Sequence, residues 1–135
     1  MDKLSSERRS WNMSQIKGKD TKPEILVRSL VHRMGYRFRL HRKDLPGRPD
    51  LVFPGRQKVI FVHGCFWHQH PGCKYATRPS TRADFWAQKL DGNRDRDEAV
   101  QHQLLQQGWG VLVVWECEIK QTELLADRLR RFLGE

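Results

Sequence analysis

The sequence lacks long apolar runs, repeats and low-complexity tracts. Its longest continuous apolar run, residues 111–115, is far too short to cross a bilayer, and residues 1–10 are polar rather than a secretion signal. We therefore expect a cytoplasmic chain with no membrane partner. A length of 135 residues predicts a single folded domain with a core of its own.

Cysteine is scarce, and the three present cannot all pair within one chain. A cytoplasmic chain would keep them reduced in any case. Cys65, His70 and Cys73 form a C-x4-H-x2-C pattern in a loop rich in glycine and proline, and Cys117 follows a later strand. Thiolates and an imidazole suit tetrahedral zinc, and four protein ligands make a closed, structural site. We predict such a zinc site, with His68 as an alternative to His70; unconnected buried thiols are the plainer interpretation.

Acidic residues are too few to balance the basic ones. The chain has 25 Lys and Arg against 16 Asp and Glu, a formal net charge of +9 and a pI near 9.9. This excess favours a polyanionic partner, because each cation placed on a phosphate releases condensed counterions. A merely soluble basic protein is the alternative. Five tryptophans are many for this length, and aromatic side chains beside basic ones suit base stacking.

The apolar patterns predict seven elements in the order helix, three strands, helix, strand, helix. The predicted elements span residues 21–35, 36–40, 50–53, 59–62, 81–107 and 111–115, with a last helix from residue 122. The continuously apolar strand 111–115 is predicted to lie inside the sheet. Residues 1–20 are predicted to be a polar, basic arm, and residues 21–135 one α/β domain with a mixed sheet flanked by helices.

Three side chains suited to acid–base and metal chemistry lie at the central strands. Asp50 begins one strand after a proline, and His63 and His68 follow the next. A carboxylate is a hard ligand suited to Mg²⁺, which neutralises charge developing on a phosphodiester. Histidine titrates at about pH 6.5, so the pair can act as base and acid at neutral pH. Alone, Asp50 would indicate only a turn cap beside Arg48; with two histidines and a basic chain, it predicts a nuclease site.

Phe66 and Trp67 lie within the same polar loop, between Cys65 and His68. Two large aromatic side chains are hard to bury there. They either pack on the predicted zinc loop or act as wedges that enter a base stack and unstack one step.

With these residues identified, the chain resembles the very-short-patch repair (Vsr) endonucleases, which nick DNA beside the thymine of a T:G mismatch left by deamination of 5-methylcytosine. The resemblance spans nearly the whole chain and rests above all on LPGRPD at residues 45–50 and HGCFWH at residues 63–68. It implies a restriction-endonuclease-like mixed sheet flanked by helices, with a zinc-stabilised loop. It also implies double-stranded DNA with a T:G mismatch as the partner, at the nucleoid and with repair proteins as candidate partners. We expect a monomer, because the sequence shows no heptad pattern and no exposed apolar helix face.

The resemblance implies roles for individual residues. Asp50 and the backbone carbonyl of Val62 match Mg²⁺ ligands, His63 and His68 match catalytic histidines with His68 as the base, and Glu24 matches an auxiliary acid. The matches to the structural zinc ligands are Cys65, His70, Cys73 and Cys117. The matches to DNA-contacting positions are Met13, Phe66, Trp67, Lys89 and Asn93.

Two features depart from the family pattern. Val62 stands where the family often has threonine, which leaves the backbone carbonyl but removes a hydroxyl. Pro71-Gly72 separates His70 from Cys73, where relatives carry a shorter histidine-rich run, so His68 stays open as a ligand. The alternative functions are a non-catalytic zinc-containing DNA-binding protein and a restriction-type nuclease that cuts unmismatched DNA.

Overall fold

The computed structural model describes residues 21–134, so the predicted arm and its Met13 lie outside the described residues. Seven helices and strands occur in the predicted order. They are α1 (Lys22–Arg33), β1 (Arg39–Leu40), β2 (Leu51–Phe53), β3 (Lys58–His63), α2 (Ala83–Gln106), β4 (Gly110–Trp115) and α3 (Thr122–Gly134). Short 3-10 turns, Pro54–Arg56 and Glu116–Lys120, follow β2 and β4. None of the helices in this part of the chain combines the length and apolarity needed to span a membrane.

The four strands form one mixed sheet in the order β1-β2-β3-β4. β2 pairs antiparallel with both β1 and β3, whereas β3 and β4 are parallel. A parallel pair needs a crossover connection, and here the crossover contains α2. The predicted mixed sheet flanked by helices is confirmed.

The prediction that residues 111–115 lie inside the sheet is wrong, because β4 is an edge strand of the described sheet. Its continuous apolarity has a different cause. Val111 and Val113 pack on one hydrophobic cluster, while Leu112 and Val114 belong to the cluster on the opposite side. A strand covered on both faces is apolar throughout whether or not both of its edges are paired.

Those two clusters place the sheet between layers of helices. One cluster joins α1 and α3 to the sheet and includes Val31 and Leu129; the other joins α2 to the sheet through Leu104. Alternate residues of a strand point to opposite faces, so β2 and β3 contribute to both clusters. The sheet is therefore held rigidly, and side chains at its ends can be positioned with precision.

One end of the sheet collects the chemically active groups. β1 ends at Leu40, which pairs with Leu51 at the start of β2, and this register sets His41 beside Asp50. The N–H of His41 donates to the carbonyl of Asp50 at 3.4 Å. β3 runs antiparallel to β2 and ends at His63, at the same end.

Candidate active site and candidate metal centre

Asp50 is a largely buried carboxylate with one oxygen fixed by the backbone. Its Oδ2 accepts a hydrogen bond from the N–H of Val62 at 2.6 Å, and its side chain is 15% exposed. Burial raises the pKa of Asp50 from 3.8 to about 6, the Val62 N–H lowers it, and the charge of Glu24 raises it. A buried carboxylate beside a second one fits a divalent cation, which would compensate both charges.

Glu24 comes from the first turn of α1 and is only 3% exposed. Its Oε2 accepts from Arg28 at 3.1 Å and lies 3.2 Å from Nε2 of His41. Glu24, His41 and Asp50 each offer a ligand atom within 4.8 Å of the others. His41 was not predicted from the sequence. The available signals were its place directly after the alternating strand and its separation from Asp50 by one loop.

His63 and His68 stack on each other, with ring centroids 3.8 Å apart and planes 6° from parallel. Nδ1 of His68 lies 2.6 Å from Oδ2 of Asp97, which α2 supplies. A carboxylate at Nδ1 favours the tautomer that carries its proton there, which leaves Nε2 as the basic nitrogen. Asp97 had no predicted role.

His63 is buried, and burial together with the nearby charge of His68 lowers its pKa to about 4, against the raising effect of Asp97. Its ring is therefore neutral at neutral pH. Among the described residues, its Nδ1 has no hydrogen-bond partner. The structure thus brings both predicted histidines together.

The carboxylates and histidines line a single cleft of about 520 Å³. Arg48 and Arg96 also line it, so acidic and basic groups face the same space. Val62, whose carbonyl was predicted to be a ligand, is part of the cleft lining. A phosphodiester entering here would meet cationic side chains, the carboxylates and both histidines together.

The cysteines and one histidine converge beside this cleft. Cys65, His70, Cys73 and Cys117 each offer a ligand atom, and these atoms all lie within 4.8 Å of one another. Nδ1 of His70 is 3.8 Å from Sγ of Cys65 and 3.4 Å from Sγ of Cys117. The parallel pairing of β3 with β4 explains the convergence, because both strands end at the same edge.

His70 rather than His68 belongs to the cysteine cluster. The ring of His70 stacks on Trp115 with centroids 4.2 Å apart, while His68 is bonded to Asp97. Burial raises the pKa of Cys65 to about 12, whereas a hydrogen bond from the backbone at Tyr75 lowers the pKa of the half-buried Cys73 thiol. Ionising these adjacent thiols together requires a cation, so the cluster fits a metal ion.

Phe66 and Trp67 are half-buried and pack with Trp86 from α2. The ring centroids of Phe66 and Trp67 are 5.1 Å apart, and those of Trp67 and Trp86 are 5.9 Å apart. Nδ2 of Asn93 donates to the carbonyl of Trp67 at 3.0 Å, and Lys89 is exposed on the same helix. Lys89, Asn93 and Asp97 are spaced by four, so one face of α2 carries them all.

Comparison with known proteins identifies the family. The sequence profile described as DNA mismatch endonuclease Vsr matches residues 1–74, more than half of the chain. The chain belongs to the Vsr family. The resemblance seen in the sequence is therefore confirmed, and this Vsr-family protein is an endonuclease whose partner is DNA.

Individual relatives cover most of the chain. It is 54% identical over 132 residues to the type II nicking enzyme V.XorIIP of Xanthomonas oryzae pv. oryzae, spanning 98% of this chain and 96% of that protein. It is 44% identical over 119 residues to the DNA mismatch endonuclease Vsr of Escherichia coli K12, spanning 88% of this chain and 76% of that protein.

A solved structure agrees with the fold. The catalytic domain of the homing endonuclease I-Bth0305I superposes with a TM-score of 0.59 at 16% identity, covering 84% of this chain and 94% of that one. This similarity supports the predicted restriction-endonuclease-like fold of the Vsr-family chain. At 16% identity, the similarity between the two structures is evidence for the fold alone.

Proposed function

We propose that this protein nicks one strand of DNA beside the thymine of a T:G mismatch by Mg²⁺-dependent hydrolysis. The observation that carries the proposal is the shared cleft, in which the Asp50 carboxylate fixed by Val62 faces the His68–Asp97 pair. Membership of the Vsr family supplies the class of reaction. The similarity to the DNA mismatch endonuclease of Escherichia coli favours mismatched DNA as the substrate class.

The metal-binding part of the site includes hard oxygen ligands. Asp50 would hold Mg²⁺ through Oδ1, because Oδ2 is engaged by the Val62 N–H. The carbonyl of Val62 would be a second ligand, with Glu24 as an auxiliary acid close by. When bound, Mg²⁺ would neutralise the charge that develops on the attacked phosphate.

His68 would act as the base. With its proton on Nδ1 held by Asp97, its Nε2 can take a proton from the attacking water, and the carboxylate stabilises the imidazolium that forms. His63, neutral and stacked on His68, limits rotation of that ring. It can also take up a proton when DNA phosphate enters the cleft and favours the charged form.

Cys65, His70, Cys73 and Cys117 would hold a structural Zn²⁺, since three thiolates and an imidazole are a common closed tetrahedral set. The loop from residue 64 to 80, which precedes α2, contains no helix or strand. It has little core of its own, so a metal would supply the missing order.

Mismatch recognition would use the aromatic cluster. Phe66 and Trp67 would enter the base stack, with Lys89 and Asn93 close to the mismatched pair and Met13 reaching DNA from the arm at residues 1–20. A T:G wobble unstacks at a lower cost than a Watson–Crick pair, so the wedge would select it. The proposed active form is a monomer at the nucleoid, with residues 21–135 as the endonuclease domain and repair proteins as candidate partners.

Nicking of a labelled duplex with one T:G pair, in Mg²⁺, tests the proposal. We expect a single nick in the T strand from the wild type and none from Asp50→Ala. Asp44→Ala is the matched control, because this nearby carboxylate is exposed and paired with Arg42 outside the cleft. Equal cutting of a fully paired duplex would instead favour a restriction-type nuclease. Binding without cleavage in any metal would favour a non-catalytic DNA-binding protein.

A further inference from the structure

His41 lies between the two carboxylates of the cleft. It follows β1 with a φ of 47°, in the left-handed region that side chains other than glycine rarely adopt. Its Nε2 lies 3.2 Å from Oε2 of Glu24 and 3.7 Å from Oδ1 of Asp50. The imidazole is therefore directed at the same space as the oxygen of Asp50 that the backbone leaves available.

These separations suit three ligands of one ion. Adjacent ligand atoms of an octahedral site with bonds of about 2.1 Å are about 3 Å apart. The ligand atoms of Glu24, His41 and Asp50 are mutually within 4.8 Å, so shifts of side-chain torsions alone can close them around a cation. Oδ2 of Asp50 stays bonded to Val62, which fixes the direction of Oδ1.

A second observation indicates that His41 does more than compensate the negative charge of Glu24. Arg28, one helical turn along α1, already donates to Oε2 of Glu24 at 3.1 Å. A permanent cation thus compensates this carboxylate without help from an imidazole. His41 is then best explained by its position between Glu24 and Asp50, where an imidazole lone pair can complete a mixed nitrogen–oxygen ligand set.

We propose that Nε2 of His41 is a protein ligand of the catalytic cation and makes the site prefer Mn²⁺ to Mg²⁺. Imidazole binds first-row transition ions well, whereas Mg²⁺ prefers oxygen ligands, so one nitrogen in the set favours Mn²⁺ selectively. This inference rests on the proposed function, because it concerns the ion held by Asp50. It adds a residue and a metal preference to that site.

The test compares wild type and His41→Gln as full-length, zinc-retaining protein. Mn²⁺ affinity is measured by electron paramagnetic resonance of the free ion, and Mg²⁺ affinity by competition. Echo-modulation spectroscopy of the bound Mn²⁺ detects any coordinated imidazole nitrogen. His32→Gln, an exposed histidine on α1, is the matched control. Circular dichroism and the zinc content establish that each variant is folded.

We expect His41→Gln to weaken Mn²⁺ binding by about 10- to 100-fold, to change Mg²⁺ binding much less, and to remove the nitrogen modulation. Equal weakening of both ions would overturn the inference, because it would mean that His41 only positions the carboxylates. Nitrogen modulation that persists in His41→Gln and disappears in His68→Gln would also overturn it.

Nicking of the T:G duplex distinguishes this inference from the proposed function. If the wild type nicks and Asp50→Ala does not, while the metal preference is the same in His41→Gln, only the inference fails. If the metal preference and the nitrogen signal depend on His41 but the wild type does not nick the T:G duplex, the ligand assignment stands and the proposed function fails.

Discussion

Replacing Asp50 with asparagine should stabilise the protein while abolishing nicking. Burial raises the pKa of Asp50 from 3.8 to about 6 in the folded state. At about 1.4 kcal/mol per pKa unit, this rise lowers the free energy of unfolding by about 3 kcal/mol at a pH where Asp50 is ionised in both states. Because the side chain keeps 15% exposure, we expect Asp50→Asn to gain about 2 to 3 kcal/mol at neutral pH.

The sign follows from which state holds the proton. Below the unfolded value of 3.8, both states are protonated and Asp50 stabilises the fold in full. As the pH rises towards 6, the unfolded chain releases its proton while the folded one retains it, and this stability is lost progressively. Roughly half of the loss has occurred by pH 5. The advantage of Asp50→Asn should therefore grow between pH 5 and pH 7 and then level off.

The assays are urea unfolding and thermal unfolding, both monitored by tryptophan fluorescence. Neither Mg²⁺ nor chelator is added, so that a metal held by the cysteines would be retained. At pH 7 the variant should melt on the order of 10 °C above the wild type. Adding Mg²⁺ should stabilise the wild type alone. Asp44→Asn is the control, because Arg42 lowers the pKa of this exposed carboxyl and its loss should not stabilise. A variant no more stable than the wild type at pH 7, or an advantage independent of pH, would refute the reasoning.

Three further predictions concern the rest of the site. Asp97→Asn should lower the single-turnover nicking rate by about 10²- to 10⁴-fold, with DNA affinity unchanged, since it removes the carboxylate that orients His68; a normal rate would contradict this role. Cys117→Ser should lose metal by elemental analysis and melt at a lower temperature, and full zinc retention would count against the predicted ligand set. Gln69→Ala should lose the bond from Nε2 to the carbonyl of Phe66 and cost about 1 to 3 kcal/mol by urea unfolding. It should also reduce the preference for T:G over paired DNA in nicking assays, and an unchanged preference would separate this bond from recognition.

The local sequence was enough to predict those site residues whose positions depend on a single strand or loop. The strand around residue 60 and the loop after it could be predicted from apolar periodicity and from LPGRPD and HGCFWH. Asp50 and His63 therefore appear in the structure at the expected strand ends. The cysteine cluster was also predictable, because Cys65, His70 and Cys73 form a C-x4-H-x2-C pattern in a loop rich in glycine and proline.

Contacts between side chains of different elements, which depend on how the elements pack, were not predictable. His41 reaches Asp50 because β1 pairs with β2 in one register, and Asp97 reaches His68 because α2 crosses the face of the sheet. The position of His41 after the alternating strand was a weak signal, but the sequence does not show the strand register or the helix packing that makes these two contacts. The choice between His68 and His70 was open for the same reason: it depends on Asp97 holding one ring and Trp115 stacking on the other.

The candidate metal centre and the candidate catalytic base share one short loop, so loss of the metal should also affect the position of the base. Cys65 and His70 bracket His68 in sequence, and His68 N–H donates to the carbonyl of Gly64 while His70 N–H donates to the carbonyl of Cys65. A metal that holds Cys65 and His70 therefore also limits where His68 can lie relative to Asp97. Loss of this metal should misplace the base as well as loosen the fold, since general-base catalysis depends on hydrogen-bond geometry before it depends on pKa. Stabilising the loop by other means would then restore the melting temperature without restoring the nicking rate unless it also rebuilt the His68–Asp97 contact.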